Sequence, residues 1–509
     1  MISSVVVEPQ RMSSLSVREF AAIGLDERIP ESAKVVGNAI PVQSVITGRR
    51  QQKFLPVNGS TFQPSQNPNF RMSATSDFII PSTATLHFKL VNKTKTAAGA
   101  DSETSCFDDP PALAVLQRSQ LRASGVLVED ILETNRASAA LTYTHMEPER
   151  YAKQGSIDTK NWKWNRDFGT EVIGNLPDAS SNYVQGELQD VRDLVNGLRL
   201  DEYGVLERQE LASGLYDASQ GNEIEINLPL SYVFGLFRTN RVFPLSFVGE
   251  LNIEFTLAQA VAAIVSSVDT DVADYEIRDT YIVCDMAQLS DDYLKVLSQA
   301  FSSPDPGMAY NLPVDTLTNI TQNKPISNSS QVNSYVFSKS TPFLKSILFT
   351  TQDNTARTSI DEYATSGMPN FLDATNSQVR LFVGSEVYPQ YSVLDSPEEV
   401  FRNNMIALGT QGNVRAQYGL ASNENFKNAT TAGGINYILF SFSKVHGLGS
   451  DYYEMDSMDA SLLGAVLDLQ MNQVNPAIVP PATGSCSTLA IIEHTRVCRI
   501  GGGRFEVKA

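Results

Sequence analysis

With 509 residues the chain exceeds what one hydrophobic core usually supports, so two domains are expected. Apolar residues make up 42% and charged residues only 19%; Ser, Thr, Asn, Gly and Pro fill the difference, a mixture suited to many strands joined by many turns. Lys and Arg number 39 against 57 Asp and Glu, and the resulting net charge of −18 repels phosphate backbones, which argues against bulk nucleic-acid binding.

The most apolar stretch, Leu257 to Val268, contains Gln259 and two serines and is too short to cross a bilayer. Three valines near the start give way to Glu8 and Pro9, unlike the apolar core of a signal peptide. Cys106, Cys284, Cys486 and Cys498 are scattered, which favours a reducing compartment over a disulfide scaffold. The sequons at Asn58, Asn92, Asn319, Asn328 and Asn428 matter only in a secreted protein.

Residues 1–58 show weak periodicity and read as an extended arm. Seven cations (Arg11, Arg18, Arg28, Lys34, Arg49, Arg50 and Lys53) face five anions there, so the arm carries +2 and the remainder −20. Such an arm either runs over the surface or faces the interior of an assembly that holds an acidic genome. From about residue 60 strand signals begin. Thr85–Leu90 alternates apolar with polar, as do Glu223–Leu228 and Glu250–Leu257, the period of a half-buried strand. Further strands are expected at 126–133, 139–145 and 275–284, with a long insertion at 147–222. In that insertion Leu188, Val191, Leu194, Val195 and Leu198 mark an amphipathic helix. A helix follows at 291–301, capped by Ser290 and opened by Asp291 and Asp292.

Ser302-Ser303-Pro304-Asp305-Pro306-Gly307 then breaks regular structure, and the domain boundary is placed there. Beyond it strands are expected at 333–350, 378–388, 435–445, 460–471, 488–498 and 504–508. One helix interrupts them at 396–408, with Ser396 as cap, Pro397 at the first helical position and Glu399 completing a capping box. The fold class is therefore mainly β: two antiparallel sandwiches, residues 59–302 and 303–509, with short helices in the long loops.

The chemistry-bearing residues form no recognisable active site. His87, His145, His446 and His494 offer few candidates, and His494 with Cys498 lacks the four ligands a zinc site needs. Asp269, Asp271 and Asp274 lack the Gly and closing Glu of a calcium loop. No nucleophile elbow or phosphate loop is present, and Gly501-Gly502-Gly503 reads as a hairpin turn. Trp162 and Trp164 with Arg166 offer a small stacking cluster, the basis of an alternative carbohydrate-binding role. No catalytic residue, cofactor or metal is expected.

Residues 224–257 carry a denser pattern. A strand runs into Leu228-Pro229-Leu230, an apolar turn Val233-Phe234-Gly235-Leu236-Phe237 follows, and Phe243-Pro244-Leu245 leads to the next alternating strand. This stretch resembles the first jelly roll of double jelly-roll major capsid proteins, in particular those of virophages and polinton-like viruses. The capsid proteins of large eukaryotic DNA viruses and the adenovirus hexon are more distant likenesses. Ser76–Pro81, Gly125–Ile131, Val383-Gly384-Ser385 with Val387-Tyr388-Pro389, and Arg496–Ile500 before the three glycines resemble family segments in the same order.

The resemblance implies two jelly rolls in tandem, a homotrimer of pseudo-hexagonal outline, and an icosahedral shell. It implies neighbouring trimers, penton and minor capsid proteins as partners, and host-receptor contact through outer loops such as 147–222. It also implies residence in the virion after assembly inside the host cell, and helices at 291–301 and 396–408 that brace sandwich flanks. A minor capsid or spike protein is the near alternative. Leu228, Pro229, Leu230, Phe234, Gly235, Phe237, Phe243 and Pro244 are the structural or subunit-contact candidates; the aromatic ones either fill a β core or lie at a sandwich or subunit junction.

Overall fold

The computed structural model describes residues 46–73, 77–100, 105–107, 111–138, 223–239, 241–266, 270–302, 310–325, 333–338, 340–353, 379–388, 397–407, 437–442, 457–461, 466–471, 485–501 and 504–508. The strand expected at 139–145, the insertion at 147–222 with its helix, and the Trp162–Trp164 cluster lie outside the described residues.

Ten of the described strands precede residue 290. They are β1 (Ile46–Phe54), β2 (Asn69–Ser73), β3 (Phe78–Asn92), β4 (Ser105–Phe107), β5 (Leu116–Ala123), β6 (Val126–Leu132), β7 (Glu223–Pro229), β8 (Glu250–Leu257), β9 (Ile264–Ser266) and β10 (Tyr275–Leu289). β4 and β9 form a short separate pair. The other eight build two antiparallel sheets, in the orders β1-β10-β3-β7 and β2-β8-β5-β6. Numbered one to eight along the chain, these read 1-8-3-6 and 2-7-4-5.

After helix α1 (Asp291–Ser302) the pattern repeats. The strands are β11 (Tyr310–Pro325), β12 (Asn333–Ser338), β13 (Leu344–Asp353), β14 (Val379–Val383) and β15 (Glu386–Tyr388). Helix α2 (Pro397–Ala407) intervenes before β16 (Tyr437–Ser441), β17 (Val466–Met471), β18 (Ser485–Gly501) and β19 (Arg504–Lys508). The sheet orders are β11-β18-β13-β16, with β19 added to β18, and β12-β17-β14-β15. Numbered in the same way, the eight strands β11 to β18 again read 1-8-3-6 and 2-7-4-5. Two sandwiches with one strand order are two jelly rolls, each pairing most of its strand edges internally.

Local chemistry explains the elements. β8 alternates buried Leu251, Ile253, Phe255 and Leu257 with half-buried polar neighbours. β5 turns into β6 with Ala123 opposite Val126, and both turn residues, Ser124 and Gly125, take positive φ (50° and 78°), as tight primed hairpins require. Pro397 opens α2 at the first helical position, where its missing N–H costs nothing.

Three expectations need correction. The arm drawn to residue 58 ends too late, because its last part is β1, the first strand of the first jelly roll. There Ile46–Phe54 pairs along β10, and its exposed polar pattern suits an edge strand with little burial of its own. The strand expected over 333–350 is two strands, β12 and β13, which pair in different sheets and are separated around Pro342. β11, sixteen residues long, is absent from the expected strands: its Thr, Asn and Pro content reads as loop, and Pro313 is tolerated because β11 is an edge strand.

The buried residues form two clusters. The larger fills the first sandwich and continues into the second through Leu312, Val314, Leu317, Leu348, Leu439, Leu489, Ile491, Cys498 and Ile500. Leu297 of α1 and Ala407 of α2 pack against it. The smaller lies within the second sandwich, around Ile347, Phe349, Leu381, Ile438, Phe440 and Ile492. Adjacent residues of β13, β16 and β18 thus enter different clusters, so this sheet is apolar on both faces.

Candidate functional site: the junction between the sandwiches

The motif residues of 228–244 fold into the seam that joins the two jelly rolls. After β7, Leu230–Tyr232 and Gly235–Arg238 make two short 3-10 turns, and Leu245–Val248 a single helical turn before β8. Leu228, Leu230, Phe234, Phe237, Phe243 and Leu245 are fully buried in the large cluster, Pro244 is buried, and Pro229 is half-buried at the end of β7. Phe234 packs on Phe237 and Phe255 with ring centroids 6.1 Å and 5.9 Å apart. Phe243 bridges Ile79 by two backbone hydrogen bonds of 2.8 Å and 2.9 Å. These aromatic rings are buried within the chain.

Gly235 meets the second jelly roll. A Cβ at this position would overlap the backbone carbonyl of Asp315 in β11, so only glycine lets the turn lie against that strand. Beneath it, Glu129 of β6 is completely buried and accepts hydrogen bonds from the backbone N–H groups of Gly235 and Leu236, each at 2.9 Å. Burial pushes the Glu129 carboxyl above the ordinary glutamate range, against the opposing pull of these two N–H groups, the Thr316 side chain of β11 and the Arg238 guanidinium. One carboxylate therefore ties a strand of the first sandwich to the turn that seats on the second.

The seam is completed from the other side. Arg496 Nη1 of β18 donates to the Val128 carbonyl at 2.7 Å, and the Asn319 amide of β11 donates to the Leu132 carbonyl. Tyr310 Oη donates to the Val242 carbonyl at 3.1 Å and Arg241 Nη1 to the Asn311 carbonyl at 3.3 Å. Asp315 is itself fixed, its carboxylate accepting from Lys345 Nζ at 2.8 Å and Thr495 Oγ1 at 2.7 Å. β6 and β11, edge strands of their own sheets, thus lie against each other across the seam.

Sequence reasoning singles out Gly235 and the aromatic residues but misses Glu129, Asp315, Asn319 and Arg496. Their partners lie between 30 and 368 residues away along the chain, a separation that no local spacing reports. The other chemistry-bearing candidates do not converge. His87 stacks on Tyr281 (centroids 4.3 Å) with Nδ1 2.5 Å from Asn227 Oδ1, and His494 Nε2 lies 2.9 Å from Thr318 Oγ1. Burial pushes the Cys498 thiol up to about 12, far from a reactive thiolate. Among the described residues no group of three or more His, Cys, Asp or Glu is placed to hold a metal ion.

No protein-family model and no curated protein matches this chain. Solved structures do. The Faustovirus major capsid protein superposes with a TM-score of 0.54 at 8% identity, over 95% of this chain and 97% of its own. PBCV-1 VP54, a crystal structure fitted into a reconstruction of the virophage Sputnik, gives 0.51 at 12% identity over 93% and 99%. A quasi-atomic model of the PBCV-1 virus capsid gives 0.50 at 12% identity over 93% and 99%. The chain has the double jelly-roll fold of these capsid proteins, along nearly its whole length.

Proposed function

We propose that the chain is a major capsid protein, three copies of which form a pseudo-hexagonal trimer that tiles an icosahedral shell. One observation carries the reading: two jelly rolls of identical strand order are locked into one block by a shared core and a sealed seam. Three such blocks put six similar sandwiches around one axis, which gives a threefold particle a nearly sixfold outline. In this reading the first jelly roll runs from β1 to about residue 302 and the second from 303 to 509.

The role is structural, with no catalytic step, cofactor or metal. Neighbouring trimers, penton and minor capsid proteins are the partners, outer loops are the surface open to a host receptor, and the site of residence is the virion after assembly inside the host cell. The net charge of −18 suits a dense shell better than a genome-binding protein.

Light scattering on purified protein is expected to give three times 55.7 kDa, and negative-stain images hexagonal capsomers or shells. A monomer at micromolar concentration with neither object in the images would overturn the reading. Binding on a glycan array in that case would favour the carbohydrate-binding alternative.

A further inference from the structure

The strand path β11-β18-β13-β16, which β19 joins at one end of β18, has two outer strands. β11 is covered by β6 of the first jelly roll. The opposite edge is β16, five residues long, paired on one side with β13. In an antiparallel strand the N–H and C=O of one residue point to the same side, and those of its neighbours to the other. Leu439 at the centre of β16 directs both groups away from β13. Its N–H donates to Asn404 Oδ1 at 2.9 Å, and its C=O accepts from Asn403 Nδ2 at 2.8 Å.

Both asparagines lie on α2, and Asn404 is buried. A side-chain amide carries the same donor and acceptor as a peptide group. Two adjacent asparagines therefore supply what a neighbouring strand would supply to Leu439. An open edge of this kind pairs readily with a strand from another molecule, a hazard that grows with concentration.

We propose that Asn403 and Asn404 act as a strand substitute that closes the β16 edge to a second copy of this chain. The strand path then ends against the first jelly roll at β11 and against a helix at β16, and copies associate through other surfaces. This inference does not depend on the trimer or on the capsid role.

The test is the double variant Asn403→Ala with Asn404→Ala in the full chain, its fold monitored by circular dichroism. The Leu439 amide is expected to exchange roughly tenfold faster or more, while Ile438 and Phe440 keep their protection. On concentration the variant is expected to form larger, thioflavin-binding species, and adding Ser441→Lys on the same edge is expected to restore the parental size. Parental exchange at Leu439 would overturn the proposal, as would faster exchange with an unchanged size distribution. Should the double variant not fold, Asn403→Ala alone frees the carbonyl: larger species support the proposal and parental size overturns it.

Discussion

β3 and β13 occupy the same place in their two jelly rolls, third of eight strands, and their sequences differ in an instructive way. In β3 the residues Leu86, Phe88 and Leu90 enter the core, while Thr85, His87 and Lys89 lie on the other face, where His87 finds Asn227 and Tyr281. In β13 the run Ile347-Leu348-Phe349 is apolar without a break: Ile347 and Phe349 enter the inner cluster, and Leu348 enters the cluster that continues into the first jelly roll. β16 and β18 behave in the same manner, through Ile438-Leu439-Phe440 and Leu489-Ala490-Ile491-Ile492. Alternation marks a sheet with one wet face, and an unbroken run marks a sheet covered on both. The same topology thus carries two burial patterns, and the second jelly roll is the one whose sheet is enclosed.

Alanine substitutions at neighbouring positions bear directly on this contrast. Ile347→Ala and Leu348→Ala are each expected to cost about 2–5 kcal/mol in denaturant unfolding, because both side chains are buried. In β3, Leu86→Ala is expected to cost as much, and Lys89→Ala less than about 1 kcal/mol. A small loss at Leu348 would mean that the outer face of β13 is not enclosed.

Next in size is Gly235→Ala. The added methyl overlaps the Asp315 carbonyl, and backbone must move to admit it, at an expected cost of about 3 kcal/mol. The same substitution at Gly125, where nothing lies within 4 Å, meets only its positive φ and is expected to cost about 1 kcal/mol.

The smallest effect concerns pH. Glu129 has a folded value above its unfolded one. Its contribution is therefore complete below the ordinary glutamate range and is lost as pH rises through the folded value. Glu129→Gln resembles the neutral carboxyl, with one carbonyl acceptor, and does not titrate. The parent is therefore expected to lose about 1 kcal/mol relative to this variant from pH 5 to pH 8. A parent that gains on the variant over this range would mean that folding lowers the Glu129 value instead of raising it. Arg238, Arg496 and Cys498 lie around this carboxyl, so the comparison requires the wild-type residues at all three.

Much of the architecture is legible in the sequence where side-chain pattern alone decides it. The alternation of Glu250–Leu257 gives β8, and the capping chemistry at Ser290 and Pro397 gives α1 and α2. β1 is illegible because this edge strand buries little and so carries polar residues, and β11 because its Thr, Asn and Pro residues mask a strand that is buried against the first jelly roll. The seam is half legible. Its aromatic residues and Gly235 stand out locally, whereas Glu129 looks like any strand carboxylate until β11 and β18 are brought beside it. The pattern of residues 228–244 fits subunit contact or core, and the aromatic members are buried within the chain.

In the second jelly roll the eighth strand, β18, lies between β11 and β13, with strands made far earlier on either side. Some 130 residues separate Asp353 from Ser485, and at roughly 5–20 residues per second the ribosome needs about 7–26 s to bridge them. Throughout that interval a nascent chain holds β11 and β13 without the strand that joins them. Neighbouring nascent chains on one message present the same unpaired backbone at close range, so the danger of cross-pairing is greatest before synthesis ends. A chaperone that shields β11 and β13 would be needed only for those seconds, because the arrival of β18 removes what it binds.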